Sequence, residues 1–148
     1  MAGWAHVFAA AANGERFDGD PAAYQAGPGS ADDFEAAADR IVGGWRAGGF
    51  DRSVPMTGGE QPASMVANMT LMEYVTHGWD LAVATGQPVP YFDEEAAETL
   101  WRAEKTLPPQ YRGPGKPFGD IVEISATAQA TDRLAAFMGR RPAGATEG

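Results

Sequence analysis

The sequence predicts an all-α protein, a helical bundle with at most one or two short strands. Apolar residues recur at spacings of three and four along several segments, which is the pattern of amphipathic helices. Glycine or proline follows these segments at the positions where helices usually stop. Four or five helices joined by short connections favour helix-on-helix packing.

Capping residues and stops delimit each predicted helix. The expected helices, with the residues that should start or stop them, are 1–13 (stop Gly14), 31–47 (start Ser30, stop Gly48 and Gly49), 62–85 (start Pro62, stop Gly86), 93–106 (start Asp93, stop Pro108) and 132–138 (start Thr131, stop Gly139). An extended piece is expected around Val54, with a turn at Gly58-Gly59, and a short strand over 121–124. We expect one helical domain over 1–141 and a disordered tail over 142–148.

Composition bounds the possible functions. The chain has 148 residues, of which 44% are hydrophobic and 21% charged, as is typical of one globular domain. Its formal net charge of −9 disfavours binding to nucleic acid. We expect no membrane partner, because no apolar run approaches the roughly 18 residues of a membrane span. No secretory signal follows Met1, so a cytoplasmic location is expected.

The chain contains no cysteine. It therefore has no thiolate ligand for a metal and no cysteine nucleophile of its own. Any bound metal has to be held by nitrogen and oxygen atoms, and any thiol chemistry has to use a thiol from outside the chain.

One cluster of polar residues lies on the longest predicted helix. At about 100° per residue, His77 projects about 40° from Glu73, and Asp80 about 20° to the other side. The rest of this stripe is apolar, and burying unpaired charges there would cost several kcal/mol. A Glu and a His four residues apart can bind one divalent ion, so Glu73 and His77 are candidate metal ligands. A site without sulfur would suit Zn²⁺, Ni²⁺ or Fe²⁺.

The same spacing has simpler explanations. A Glu and a His four residues apart also form surface pairs or hydrogen bonds in a core. Asp80 has three possible roles: a metal ligand, an acceptor that orients a histidine ring, or a partner of an arginine or a backbone amide. Spacing alone leaves these alternatives open.

The segment LMEYVTHGWDLAVATGQP resembles the pattern E-x-x-x-H-x-W-D-L-A-x-A-T-G-Q of the mycothiol-dependent maleylpyruvate isomerase-like, DinB-type metal-binding proteins. Flanking segments agree in the same order, among them FAAAANGERFDGD, LPPQYRGPGKPFG and TDRLAAFMGRRP. The resemblance extends over nearly the whole chain. It implies a DinB-like four-helix bundle that binds one divalent metal through His, Glu and His.

The resemblance assigns the second and third of these ligands to Glu73 and His77. The first should lie on the helix before the N-G-E-x-F stretch, at or before Met1, so the chain is expected to lack the N-terminal part of the family's domain. His6, the other histidine, is turned about 120° from the expected direction and is a poor substitute. Relatives of known activity use a low-molecular-weight thiol such as mycothiol, in isomerase or transferase reactions.

Two functions follow as hypotheses. The first is a metal- and thiol-dependent isomerase or transferase that acts on a small-molecule substrate, in which the metal lowers the pKa of a bound thiol. The second is a non-catalytic, truncated bundle that binds a ligand or another subunit. If the first helix lacks part of its length, exposed apolar surface should favour homo-oligomers. Catalytic and thiol-binding residues cannot be named from the sequence.

Overall fold

The structure, a computed structural model, describes residues 2–145. Within that range the chain is mostly helical, which confirms the all-α prediction. Its elements are α1 (Ala2–Ala12), α2 (Ser30–Gly48), β1 (Ser53–Met56), β2 (Gly59–Pro62), α3 (Ala63–Thr85), α4 (Asp93–Thr106) and α5 (Ala130–Phe137), with single 3-10 turns at Pro21–Ala23 and Pro109–Tyr111. The described residues form two compact units that meet in sequence between Thr70 and Leu71, inside α3. Each unit is described separately.

In the first unit, α1 packs against α2 at very short range. Most of α1 is buried, including the run of alanines from Ala9 to Ala12. Gly44 of α2 faces the end of α1 so closely that a Cβ atom there would lie 2.6 Å from the Ala12 carbonyl oxygen. Small residues on both helices therefore permit this approach.

A β-hairpin follows α2 in the same unit. Strands β1 and β2 pair antiparallel, with Ser53 opposite Pro62 and Met56 opposite Gly59. Val54 and Met56 are buried, and Gly59 has a φ of 111°, a conformation that favours glycine. The predicted extended piece is thus confirmed, whereas the turn lies at Thr57-Gly58, one residue before the predicted position, and Gly59 begins β2.

In the second unit, α4 and α5 pack against each other. Their buried faces carry mainly small and aliphatic residues: Ala96, Leu100, Ala103, Leu134 and Ala135. The chain reverses after α5 at Gly139, where φ is 83° and a Cβ atom would lie 2.9 Å from the Cα of Gly119. This reversal sets the position of Arg140, which contacts α3.

The predicted starts of four helices are each displaced by one or two residues. Ser30, Asp93 and Thr131 were expected as N-caps but lie inside the helices; the cap positions belong to Gly29, Phe92 and Gln129, and Pro62 ends β2. The side chains explain the difference. The Ser30 hydroxyl accepts a hydrogen bond from the Gly27 N–H in the preceding turn, and Asp93 accepts one from the Thr131 N–H at the start of α5.

The strand expected over 121–124 is wrong. The described segment has no regular secondary structure, and its Val122 N–H donates to the Ala136 carbonyl of α5 rather than to a neighbouring strand. An apolar run forms a strand only where another strand can pair with it. In the predicted tail, the Ala145 N–H closes a turn on the Pro142 carbonyl, and residues 146–148 lie outside the described range.

None of the helices found in residues 2–145 combines the length and the apolar character that crossing a membrane requires.

Candidate metal centre

Glu73 and His77 lie on successive turns of α3. Their spacing of four residues places both side chains on one side of the helix. The Glu73 Oε2 and His77 Nε2 atoms are 3.2 Å apart. The structure therefore brings together the two side chains that the sequence singled out.

Asp80 contacts the other nitrogen of the same ring. Its Oδ2 atom lies 3.0 Å from the His77 Nδ1. Arg140 in turn donates to both oxygens of Asp80, from Nε at 3.0 Å and from Nη2 at 2.8 Å. Glu73, His77, Asp80 and Arg140 thus form a continuous polar chain, which we call the His77 relay.

The His77 relay is only partly covered by protein. The side chains of Glu73, His77 and Asp80 are 32%, 37% and 34% exposed. The apolar stripe on which they lie therefore does not bury these side chains fully. Part of the His77 side chain therefore remains in contact with solvent.

The charges of the relay shift the pKa values of its members. The hydrogen bond to Glu73 raises the pKa of His77, and the charges of Glu73 and Asp80 add to this against the effect of burial. For Asp80, burial acts to raise the pKa, but the hydrogen bonds and charge of Arg140, with His77, outweigh burial and lower it. Asp80 therefore stays ionised and accepts hydrogen bonds at neutral pH.

The geometry of the pair fits two ligands of one divalent ion. Two donor atoms about 2.1 Å from the same ion, with an angle of about 90–110° between their bonds, lie about 3.0–3.4 Å apart. The distance of 3.2 Å between Glu73 Oε2 and His77 Nε2 falls in this range. Metal-bound histidines usually donate their second ring N–H to a carboxylate, and Asp80 is placed to accept it.

Comparison with known proteins decides the family. Residues 1–82 match the family described as the mycothiol maleylpyruvate isomerase N-terminal domain. The chain belongs to this family. Two uncharacterized proteins of Mycobacterium tuberculosis, from strains CDC 1551 / Oshkosh and H37Rv, are each 38% identical to it over 125 residues. The aligned region is 84% of this chain but 64% of each relative's length. No solved structure matches the chain significantly.

For this member of the mycothiol maleylpyruvate isomerase N-terminal domain family, the resemblance implies three metal ligands, of which Glu73 and His77 are two. Among residues 2–145, no group of three His, Cys, Asp or Glu side chains has the arrangement of a metal site. His6 lies on α1 in the first unit, with its ring 6.0 Å from that of Tyr24. Glu73 and His77 are the two candidate ligands that the structure places in contact.

Two residues near Asp80 were not foreseen from the sequence. Arg140 is sixty positions from Asp80, and no local spacing connects them. Tyr91 packs over Gly78, where a Cβ atom would lie 3.5 Å from its ring. Burial, with the charges of Asp80 and Asp132, raises the pKa of Tyr91 to about 12. The Tyr91 hydroxyl is buried and has no hydrogen-bond partner among the described residues.

Proposed function

We propose that this protein binds a divalent metal ion through Glu73 and His77, and that it uses a small thiol in an isomerase or transferase reaction. The observation that carries the proposal is the 3.2 Å separation of Glu73 Oε2 and His77 Nε2, together with Asp80 at the second ring nitrogen. Zn²⁺, Ni²⁺ and Fe²⁺ are the ions that a nitrogen and oxygen donor set suits.

The family supports a thiol as the second participant, because its description names mycothiol. A divalent ion acts as a Lewis acid and lowers the pKa of a bound thiol. The chain has no cysteine, so the thiol has to come from solution. The side chains of the pair are partly exposed, so a ligand can reach them from solvent. Family membership favours this function over a non-catalytic bundle.

Each residue of the pair has a distinct part in binding. Glu73 supplies negative charge and an oxygen donor, and His77 supplies a neutral nitrogen donor once its proton is displaced. Asp80 keeps the ring oriented through Nδ1. These parts depend only on side chains that the structure places in contact.

Calorimetric titration with Zn²⁺ and Ni²⁺ tests the metal site. The protein should bind one equivalent, and His77→Ala and Glu73→Gln should each weaken binding by about tenfold or more. His6→Ala serves as the matched control, since it removes the other histidine and should leave affinity unchanged. A His77→Ala protein that binds metal as tightly as its parent would rule the site out.

A second titration tests the thiol. Mycothiol should bind to the zinc-loaded protein more tightly than to the metal-free protein, and the difference should disappear in His77→Ala. Equal binding of mycothiol with and without zinc would show that the thiol, if bound, does not use this site.

A further inference from the structure

Two carboxylates flank the His77 ring, and they are engaged differently. Among residues 2–145, Glu73 is paired with His77 alone. Asp80 contacts the opposite ring nitrogen and is also held through both oxygens by Arg140. Both are carboxylates, so a difference in role, metal ligand or acceptor that orients the ring, has to come from their different contacts.

The Arg140 guanidinium is itself fixed in place. Its Nη1 atom donates to the Met138 carbonyl at 2.8 Å, and its backbone N–H donates to the Ala135 carbonyl at 2.9 Å. Its side chain is 27% exposed, less than any other member of the His77 relay. A planar guanidinium held at one nitrogen can present two parallel donors to a carboxylate at little further entropic cost.

We propose that Arg140 is a positioning residue that assigns the roles of the two carboxylates. By occupying both oxygens of Asp80, it keeps Asp80 from becoming a metal ligand and holds its Oδ2 against the His77 Nδ1. Glu73 is then the carboxylate that is free to share an ion with the His77 Nε2. This inference deepens the proposed function and rests on it for the part that concerns metal.

The positioning role is testable in the metal-free protein by NMR of the His77 ring. At pH 6 the Nδ1–H signal should be protected from exchange with water, because that hydrogen is donated to a fixed Asp80. Arg140→Gln should broaden or abolish the signal. Arg140→Lys, which keeps the charge but loses the two parallel donors, should retain it in part. Arg141→Gln is the matched control, since Arg141 is an exposed neighbouring arginine.

Zinc titration of the same variants tests the assignment of roles. Arg140→Gln should weaken zinc binding by about tenfold, the lower end of effects seen when a residue that supports a ligand is removed. The loss on adding Glu73→Gln should be smaller in the Arg140→Gln background than in the parent, because a released Asp80 can take the place of Glu73. Arg140→Lys should recover part of the affinity.

The NMR signal and the zinc titration test different claims, so each claim can be contradicted without the other. If the parent protein binds no zinc, the proposed function is wrong, whereas the Nδ1–H signal still decides whether Arg140 positions Asp80. If Arg140→Gln keeps a protected Nδ1–H signal, Arg140 is not a positioning residue, whatever the affinity for zinc. Should Arg140→Gln fail to fold by circular dichroism, an unchanged signal in Arg140→Lys would overturn the inference and a weakened one would support it.

Discussion

Each unit of the molecule contains an arginine whose side chain donates hydrogen bonds to a distant segment of the chain, but the two arginines donate to different kinds of acceptor. In the first unit, Arg52 donates to the backbone carbonyls of Ala12, Gly48 and Gly49. In the second unit, Arg140 donates mainly to the side chain of Asp80, which in turn faces a histidine ring.

The different acceptors of the two arginines indicate different roles. The Arg52 contacts are structural, whereas the Arg140 contacts lie at a site that could bind a ligand. Backbone carbonyls at the end of a helix need partners in any protein, and Arg52 supplies them. A carboxylate contacting both an arginine and an imidazole is a more specific arrangement, because it fixes one ring nitrogen while the other faces Glu73. Replacing Arg52 should therefore affect stability, whereas replacing Arg140 should also affect binding.

The largest effect on stability is expected from Arg52→Ala. This change removes three hydrogen bonds to carbonyls and the contact of the guanidinium with the Trp45 ring, 5.6 Å away. We expect the free energy of unfolding to fall by about 2–3 kcal/mol, measured by urea denaturation. Zinc affinity should not change.

Arg46→Ala is the control for this change, because Arg46 lies on the exposed side of the same helix, α2. Its replacement should alter the unfolding free energy by less than about 0.5 kcal/mol. A loss of equal size in both variants would show that the Arg52 contacts do not stabilise the first unit.

The packing of α1 on α2 predicts opposite effects at two adjacent glycines. Gly44→Ala places a Cβ 2.6 Å from the Ala12 carbonyl oxygen and should cost about 1–3 kcal/mol. Gly43→Ala meets nothing within 4 Å and should stabilise α2 by about 0.5–1 kcal/mol. Thermal unfolding of both variants measures the difference, and equal shifts would contradict the close approach.

A smaller effect is expected where Asp93 caps the neighbouring helix. Asp93→Ala leaves the Thr131 N–H without its acceptor and should cost about 1 kcal/mol. Hydrogen exchange at the Thr131 amide should accelerate in this variant. Glu94→Ala is the control, since it removes a charge from the same turn of α4. Unchanged exchange at Thr131 in Asp93→Ala would show that the Thr131 N–H does not donate to Asp93 in solution.

The smallest effect concerns the titration of His77. Its pKa should lie above the ordinary value of about 6.5 in the metal-free protein, and Glu73→Gln should lower it. A raised pKa in the folded state means that this pair stabilises the protein below about pH 6.5 and that the contribution is lost as the pH rises through the folded-state value. NMR titration of the ring measures both proteins. An identical pKa in the two would show that Glu73 does not contact His77 in solution.

The sequence predicted helix ends better than helix starts. Gly14, Gly49, Gly86 and Gly139 were expected as stops, and each has a positive φ, which only glycine adopts readily. Starts such as Ser30 and Asp93 were misplaced because their side chains bond to a preceding turn or to another helix. Local sequence does not reveal such partners.

For the candidate site, the sequence predicted what lies within one helix and missed what comes from elsewhere. The pairing of Glu73 with His77 follows from a spacing of four residues, and Asp80 from a further three. The sequence left the role of Asp80 open, and the structure shows it with both His77 and Arg140. Arg140 reaches Asp80 only because the chain reverses at Gly139, a tertiary feature that periodicity cannot encode.

The most direct test of the account is the position of a bound ion. Crystals of the zinc-loaded protein, measured at the zinc absorption edge, should show one anomalous peak about 2.0–2.2 Å from both a Glu73 oxygen and the His77 Nε2. Asp80 should remain bound to Arg140 and lie outside the coordination sphere. A zinc ion bound away from Glu73 and His77, or no ordered zinc at saturating concentration, would contradict the account.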